Sequence, residues 1–307
     1  DNTVNNTSAN RQENHNVPGD GKFDQNNFPT SVELQVGRVD MYDMPAFSAS
    51  EVQLIRNYLN KAHGFKTKAW TPMARALQFD NLQWVSDPLA AGGWRNLAPL
   101  VGNSNITELP PYQASFGSMV NNQSYLWTNC SAGGLLDFQN NTWLFIGQDN
   151  AAITSELATT INMGGVFNMG LGSYYGDFDN KNNYLRALIA RGDALTNCWS
   201  GIPTWYFHHM GMGDNIGYST WITMNNTSLY TPLTEGWQSS IGKTHINLMG
   251  DPSLRMKMVD PPTGLTISNS GGNILFNWTA STGVVQGYHI YQFAANGTIT
   301  RITSAPV

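Results

Sequence analysis

Charge is scarce in this chain: Asp, Glu, Lys and Arg make up 12% of its 307 residues, about half the share usual for a soluble domain. The net charge of −5 and the lack of any dense basic stretch argue against a nucleic-acid partner, which requires a basic face. No apolar run reaches the roughly 18 residues of a membrane-spanning helix, so membrane insertion is not expected. Cysteine is nearly absent too. Cys130 and Cys198 are too few for a disulfide framework. Each closes an apolar run in a Thr-Asn-Cys context. Either they pair, which needs Cα atoms within about 7 Å, or both are buried thiols.

Neutral hydrogen-bonding side chains replace the missing charge. The chain has 34 Asn, many Ser and Thr, and 30 Gly. Asn-x-Ser/Thr sequons start at Asn5, Asn6, Asn105, Asn122, Asn129, Asn140, Asn225, Asn226, Asn277 and Asn296, which makes loop glycosylation an expectation. Such a surface suits an extracellular or cell-surface protein. The chain opens on Asp1 without a signal-peptide pattern, as a processed piece of a longer secreted precursor would.

Residues 1–30 are polar and aperiodic and predict an extended arm. Within them Asp20 and Asp24 flank a glycine. That pair suits either a Ca²⁺ held with backbone carbonyls or a plain Asx turn, since the full ligand set of an EF-hand loop is missing. Residues 31–260 alternate strand and helix patterns. Strands are expected at Val32–Val39, Ala74–Phe79, Ser124–Thr128, Gly165–Met169 and Ala194–Cys198. Helices are expected at Ser50–Lys61, at Leu89–Val101 with a break at Gly92-Gly93, at Ile153–Ile161, and at Asn183–Arg191. This order predicts an α/β fold with a mostly parallel sheet and helices on both faces. Ligands of such sheets sit at the carboxyl ends of the strands.

Near the end of this region lies Gly250-Asp251-Pro252. The glycine allows positive φ, the aspartate can bond its own backbone, and the proline fixes the next φ, so a turn is built in. A further alternating strand is expected over 254–258. Pro261-Pro262 then marks a domain edge, because paired prolines cannot continue a sheet. Beyond it, Thr263–Ile267, Asn273–Trp278 and Gly287–Gln292 are short alternating strands.

Several of these pieces together resemble the gingipain-type family of secreted cysteine peptidases, which have a caspase-like domain. They are the Gly19–Asp24 acidic-aromatic loop, Pro29, Val36-Gly37-Arg38, the helix running to Lys61, and the Gly250-Asp251-Pro252 turn. The resemblance covers most of 18–260. The segment from 261, with Trp278 and Tyr288-x-x-Tyr291, resembles part of a fibronectin type III module, an immunoglobulin-like sandwich of which about half is present.

The family likeness implies a catalytic His at the end of the third strand and a Cys at the end of the fourth. The imidazole takes the proton that turns a weak thiol into a nucleophile. Here the third strand ends in Asn129-Cys130-Ser131 and the fourth in Gly170-Leu171-Gly172-Ser173. Both catalytic partners are missing from these places. Three other arrangements can be drawn from the residues. One is a relocated pair in which Cys198 works with His208 or His209, against buried Cys and locally bonded His. A second is a metal site at the two histidines with Asp177, Asp179 or Asp214. The third is a cleft in which Tyr174, Tyr175, Trp199, Trp205 and Tyr206, beside Ser131, Ser173, Asp177 and Asp179, grip a sugar or peptide, against the same aromatics filling the core. The expectation is a non-catalytic structural or adhesive platform that meets extracellular proteins or glycans, or copies of itself, with an extracellular cysteine peptidase as the alternative.

Overall fold

The structure is a computed structural model describing residues 30–81, 88–109, 115–137, 142–145, 158–172, 175–176, 181–199, 205–226, 246–257, 259–283 and 285–307. The expected arm with Asp20 and Asp24, and most of the helix expected at Ile153–Ile161, lie outside these residues. The chain divides into two compact units: one formed by the chain up to His63 with Thr71–Met256, the other by Gly64–Trp70 with Lys257–Val307.

The strands of the larger unit are β1 (Ala76–Asp80), β2 (Ile106–Leu109), β3 (Tyr125–Ser131), β4 (Gly134–Asp137), β5 (Thr142–Phe145), β6 (Gly165–Leu171), β7 (Thr196–Trp199) and β8 (Asn247–Gly250). Six of them form one sheet in the order β2-β1-β3-β6-β7-β8. The first five are parallel and β8 runs antiparallel to β7. Every residue of β1, β3 and β6 is buried, as in a parallel sheet covered on both faces. β4 and β5 form a separate antiparallel pair.

The helices are α1 (Glu51–Lys66), α2 (Pro88–Val101), α3 (Phe116–Val120), α4 (Tyr184–Ala190), α5 (His208–Gly211) and α6 (Ile216–Asn225). Ser50, Asn183 and Asn215 cap α1, α4 and α6 through side-chain oxygens that accept the Gln53, Arg186 and Tyr218 N–H groups. On one face of the sheet, α2 lies over Gln78 of β1 and Asn129 of β3. On the other, Phe116 of α3 packs on Phe79 at 5.9 Å. The expected break at Gly92-Gly93 does not occur, and α2 runs through it. A Cβ on Gly93 would come within 2.0 Å of Gln78 Oε1 and 2.5 Å of Asn129 Nδ2. The glycine serves close packing of helix on sheet, not helix termination.

Two expected strands are corrected. Val32–Val39 has strand alternation but forms a single parallel bridge, Arg38 to Met249. Its other end is drawn away by α6: Val32 N–H donates to Asn225 Oδ1 (2.7 Å), and Val32 C=O accepts from Trp221 Nε1 (2.7 Å) and Asn225 Nδ2 (2.8 Å). Leu34 and Val36 are left exposed. Nor is there a strand after Pro252: Leu254 turns back to Asp251, and Arg255 makes one isolated bridge to Asn215.

The Gly250-Asp251-Pro252 turn forms as its residues dictate. Gly250 has φ 118°, and a Cβ there would lie 2.2 Å from Leu195 O. Asp251 Oδ1 accepts from both Ser253 N and Ser253 Oγ. Asp251 N–H donates to the buried Tyr58 hydroxyl (2.7 Å), which itself donates to Leu195 O (2.9 Å). Pro252 is wedged between two glycines. A Cβ on Gly37 would meet Pro252 Cδ at 2.9 Å, and one on Gly217 would meet Pro252 Cβ at 2.8 Å. The turn and Val36-Gly37-Arg38 therefore pack directly on each other.

The smaller unit contains β9 (Thr263–Ser270), β10 (Asn273–Thr279), β11 (Tyr291–Phe293) and β12 (Ile299–Arg301). They form two antiparallel pairs, β9 with β10 and β11 with β12. Gly271 and Gly272, with φ 60° and 86°, make the first hairpin turn, as two-residue hairpins demand. Trp278 packs edge-on against Tyr288 at 5.3 Å. Among the described residues no helix is long and apolar enough to cross a membrane.

The Gly250→Ala variant, by strain and collision with Leu195 O, is expected to lose about 3 kcal/mol of stability in urea unfolding. Gly271→Ala, where nothing lies within 4 Å of the new Cβ, is expected to lose about 1 kcal/mol. Equal losses would contradict this account of the turn.

Candidate functional site

The carboxyl ends of β1, β3, β6 and β7 bring together Asp80-Asn81, Cys130-Ser131, Leu171-Gly172 and Cys198-Trp199. β3 and β6 are neighbours, with Cys130 opposite Gly170; β6 and β7 are neighbours, with Met169 opposite Cys198. Side chains alternate along a strand. One residue of offset therefore sends Cys130 and Cys198 to opposite faces of the sheet, with β6 between them. Both are free thiols.

The ends of β3 and β6 stay bonded to each other, Ala132 N–H donating to Leu171 O (3.0 Å), and are covered. Tyr175 is fully buried there. A Cβ on Gly172 would fall 2.0 Å from its ring. Its hydroxyl donates to Gly133 O at 3.4 Å, and its ring lies 4.7 Å from that of Tyr184. Trp199 Nε1 donates to Gly172 O at 3.0 Å and closes the β7 side. Ser131 is also fully buried, and its Oγ has no hydrogen-bond partner among the described residues.

Burial pushes the Cys130 thiol well above its ordinary range, and the nearby Asp80 carboxylate pushes it further. Burial alone does the same to Cys198. Among the described residues neither sulfur is hydrogen-bonded to an imidazole. A buried thiol kept protonated is inert as a nucleophile.

His208 and His209 stand together on α5, their rings 4.4 Å apart. His209 Nδ1 lies 3.5 Å from Asp214 Oδ2, and its ring meets Tyr218 edge-on at 5.1 Å. Partial burial, with the neighbouring His209 charge, holds His208 below the usual imidazole value. Among the described residues no group of three His, Cys, Asp or Glu side chains could hold a metal ion. Asp177, Asp179, Asp20 and Asp24 lie outside the described residues.

The aromatic cleft needs correction. Trp205 is fully buried and stacked on Phe207 at 5.3 Å, and Phe207 packs on Trp127 at 4.8 Å. Tyr206 is buried, its hydroxyl accepting from Asn226 Nδ2 at 3.3 Å. With Tyr175 and Ser131 these residues belong to the core that supports the strand ends. Trp199 alone is half-buried, and Ser173 and Tyr174 lie outside the described residues. Large rings next to strand ends gain more from burial than from exposure, which is why the pattern in the sequence resembled a binding wall. The sequons at Asn129 and Asn226 are buried as well, so neither offers a glycan site in the fold.

Sequence reasoning missed a groove of about 640 Å³ between residues 30–38, α6 and β8. Its only sequence signal was the apolar alternation of 32–39. No family model, curated protein or solved structure matches this chain.

Unfolded cysteine titrates near 8.5, while both folded thiols stay protonated. Stability from this source is complete below about pH 8 and falls as pH rises above it, because the unfolded chain sheds those protons first. Lys61, lowered to about 7 by burial against the attraction of Asp193, acts oppositely over pH 7–10, so parent and variant must be compared at each pH. A Cys130→Ala/Cys198→Ala variant is expected to lack the fall, gaining up to about 1.4 kcal/mol per pH unit for each thiol relative to the parent above pH 8.5. Parallel urea-stability curves for the two proteins would refute the assigned thiol environments.

Proposed function

We propose that this chain carries a gingipain-type, caspase-like domain without the peptidase dyad, followed by a partial fibronectin type III module. It works as a non-catalytic structural or adhesive platform in an extracellular assembly, secreted or at a cell surface. The observation that carries this reading is the covered strand ends. Where the family sets an open His and Cys, the third and fourth strands of the sheet (β3 and β6) end in Cys130-Ser131 and Gly170–Gly172, with Tyr175 packed on Gly133 and Gly172 just beyond them. An attacking thiol needs access to substrate and a proton acceptor beside it. Cys130 has neither open space nor a described imidazole partner.

Other observations support the caspase-like part. The third and fourth strands of the sheet are central neighbours, and only the last strand is reversed. The two motifs on which the resemblance rests meet through backbone bonds, Arg38 N to Leu248 O and Gly250 N to Arg38 O. The hairpin of β9 and β10, with Trp278 against Tyr288, supports the fibronectin-like module. The low charge and the exposed sequon residues Asn105, Asn122, Asn277 and Asn296 suit an extracellular surface that meets other proteins or glycans. Glycan capture by Trp205 and Tyr206 falls away with their burial.

A chloromethylketone or acyloxymethylketone peptide probe is expected to leave the folded protein unlabelled and to label both cysteines after unfolding in urea. Labelling of folded protein at Cys198 that vanishes in His208→Ala or His209→Ala would replace the platform with a relocated peptidase pair. The platform reading also expects a multimer in sedimentation velocity at high micromolar concentration, and a clean monomer there counts against self-assembly.

A further inference from the structure

We propose that the outer edge of β8 is a docking site for an extended peptide segment of a partner protein, one bearing apolar side chains and a basic residue. The geometry of the edge supplies the first reason. Arg38 N–H donates to Leu248 O (2.9 Å), and Gly250 N–H donates to Arg38 O (2.7 Å). Leu248 and Gly250 thus turn their backbone groups outward. Strand alternation then directs Leu248 N–H and Ile246 C=O to the same side. In a continued parallel ladder Val36 would meet both. The segment instead bends toward α6, where Val32 is bound to Trp221 and Asn225. Val36 is left 60% exposed, Ile246 and Leu248 are buried (3% and 4% exposed) and line the groove, and among the described residues no backbone group pairs with Leu248 N–H or Ile246 C=O.

The groove supplies the second reason. It lies beside this edge, about 640 Å³ in volume, with Val32, Leu34, Val36, Met224, Ile246 and Leu248 as its apolar lining. Open strand edges pair with extended chains, whose backbone supplies affinity while alternate side chains enter adjoining pockets. A purely apolar ligand would cover a donor and an acceptor without bonding either, at a cost of about 1–3 kcal/mol for each. A peptide backbone satisfies both.

Charge selects among peptides. The charged residues lining the groove are Glu33 and Arg38. Arg38 is bonded to Asp40, whereas Glu33 is exposed and has no ion-pair partner among the described residues. Glu33 is thus the lining charge left for a bound segment to pair with, which favours a basic residue in that segment. None of this depends on the missing dyad, so failure of peptide binding and failure of the platform reading are separate results.

The test uses the full chain and a fluorescein-labelled peptide of alternating Val and Thr around a central Lys, followed by fluorescence anisotropy and amide hydrogen exchange. Saturable binding is expected, with exchange of the Leu248 amide slowed about tenfold or more. Backbone N-methylation of the peptide should weaken binding at least about tenfold. Changing its Lys to Glu should weaken binding about threefold, and Glu33→Lys should reverse that preference while leaving the thermal melt unchanged. No saturable binding, equal binding of the N-methylated peptide, or a Leu248 amide unaffected by peptide overturns the proposal. Leu248 protection that grows with protein concentration in the absence of peptide overturns it too, and makes a second copy of this chain the occupant.

Discussion

The larger unit depends on one contact, the wedge of Pro252 between Gly37 and Gly217. Three parts of the chain far apart in sequence meet there: the segment before α1, the start of α6 and the turn after β8. Neither glycine position has room for a methyl group, so approach is limited by backbone against proline. The Tyr58 hydroxyl completes the joint by accepting from Asp251 N–H and donating to Leu195 O. α1, the residue entering β7 and the turn are thereby held by one buried phenol. A hydroxyl that serves as donor and acceptor at once leaves no dry polar atom behind, so this joint can lie inside the fold.

The central strands show how a sheet can be buried on both faces without being wholly apolar. Thr128, Asn168 and Asn197 stand in register across β3, β6 and β7. Thr128 Oγ1 donates to Asn168 Oδ1, and Asn168 Nδ2 donates to Thr196 O and Gly165 O. Across the sheet Asn129 Nδ2 donates to Gln78 Oε1 beneath Gly93. The amide-rich composition that suggests a neutral surface thus also furnishes the interior with bonded pairs, while among the described residues Asn197 Nδ2 and Oδ1, Gln78 Nε2 and Asn129 Oδ1 have no hydrogen-bond partner. At the ends of β3 and β7 the packing is close, and close packing keeps the two thiols protonated by desolvating any charge they would carry.

Periodicity and local turn chemistry were legible in the sequence. The helix beginning at Ser50, the α4 helix capped by Asn183, the apolar strands ending near Cys130, Met169 and Cys198, and the Gly250 turn all follow from residues within a few positions of one another. The α/β class followed from their order. Val32–Val39 was misread because its alternation fits a strand, while the bonds that bend it come from Trp221 and Asn225, nearly two hundred residues on. Gly92-Gly93 was misread because a glycine that ends a helix and one that lets a sheet approach look alike in sequence. The aromatics around Trp205 were ambiguous for a similar reason: rings next to strand ends serve either a cleft or a core.

The sequence by itself determined the α/β class, the main helices and central strands, the conformation of the Gly250 turn, and the lack of a His at the end of the third strand and of a Cys at the end of the fourth. These are properties of composition, short-range periodicity and local backbone geometry. Tertiary structure alone decided that Cys130 and Cys198 lie on opposite faces, that Tyr175 covers the ends of β3 and β6, and that the chain before Arg38 turns from β8 toward α6 beside a groove. Each depends on strand register and on which distant side chain reaches a given atom first, and no local stretch of sequence encodes that.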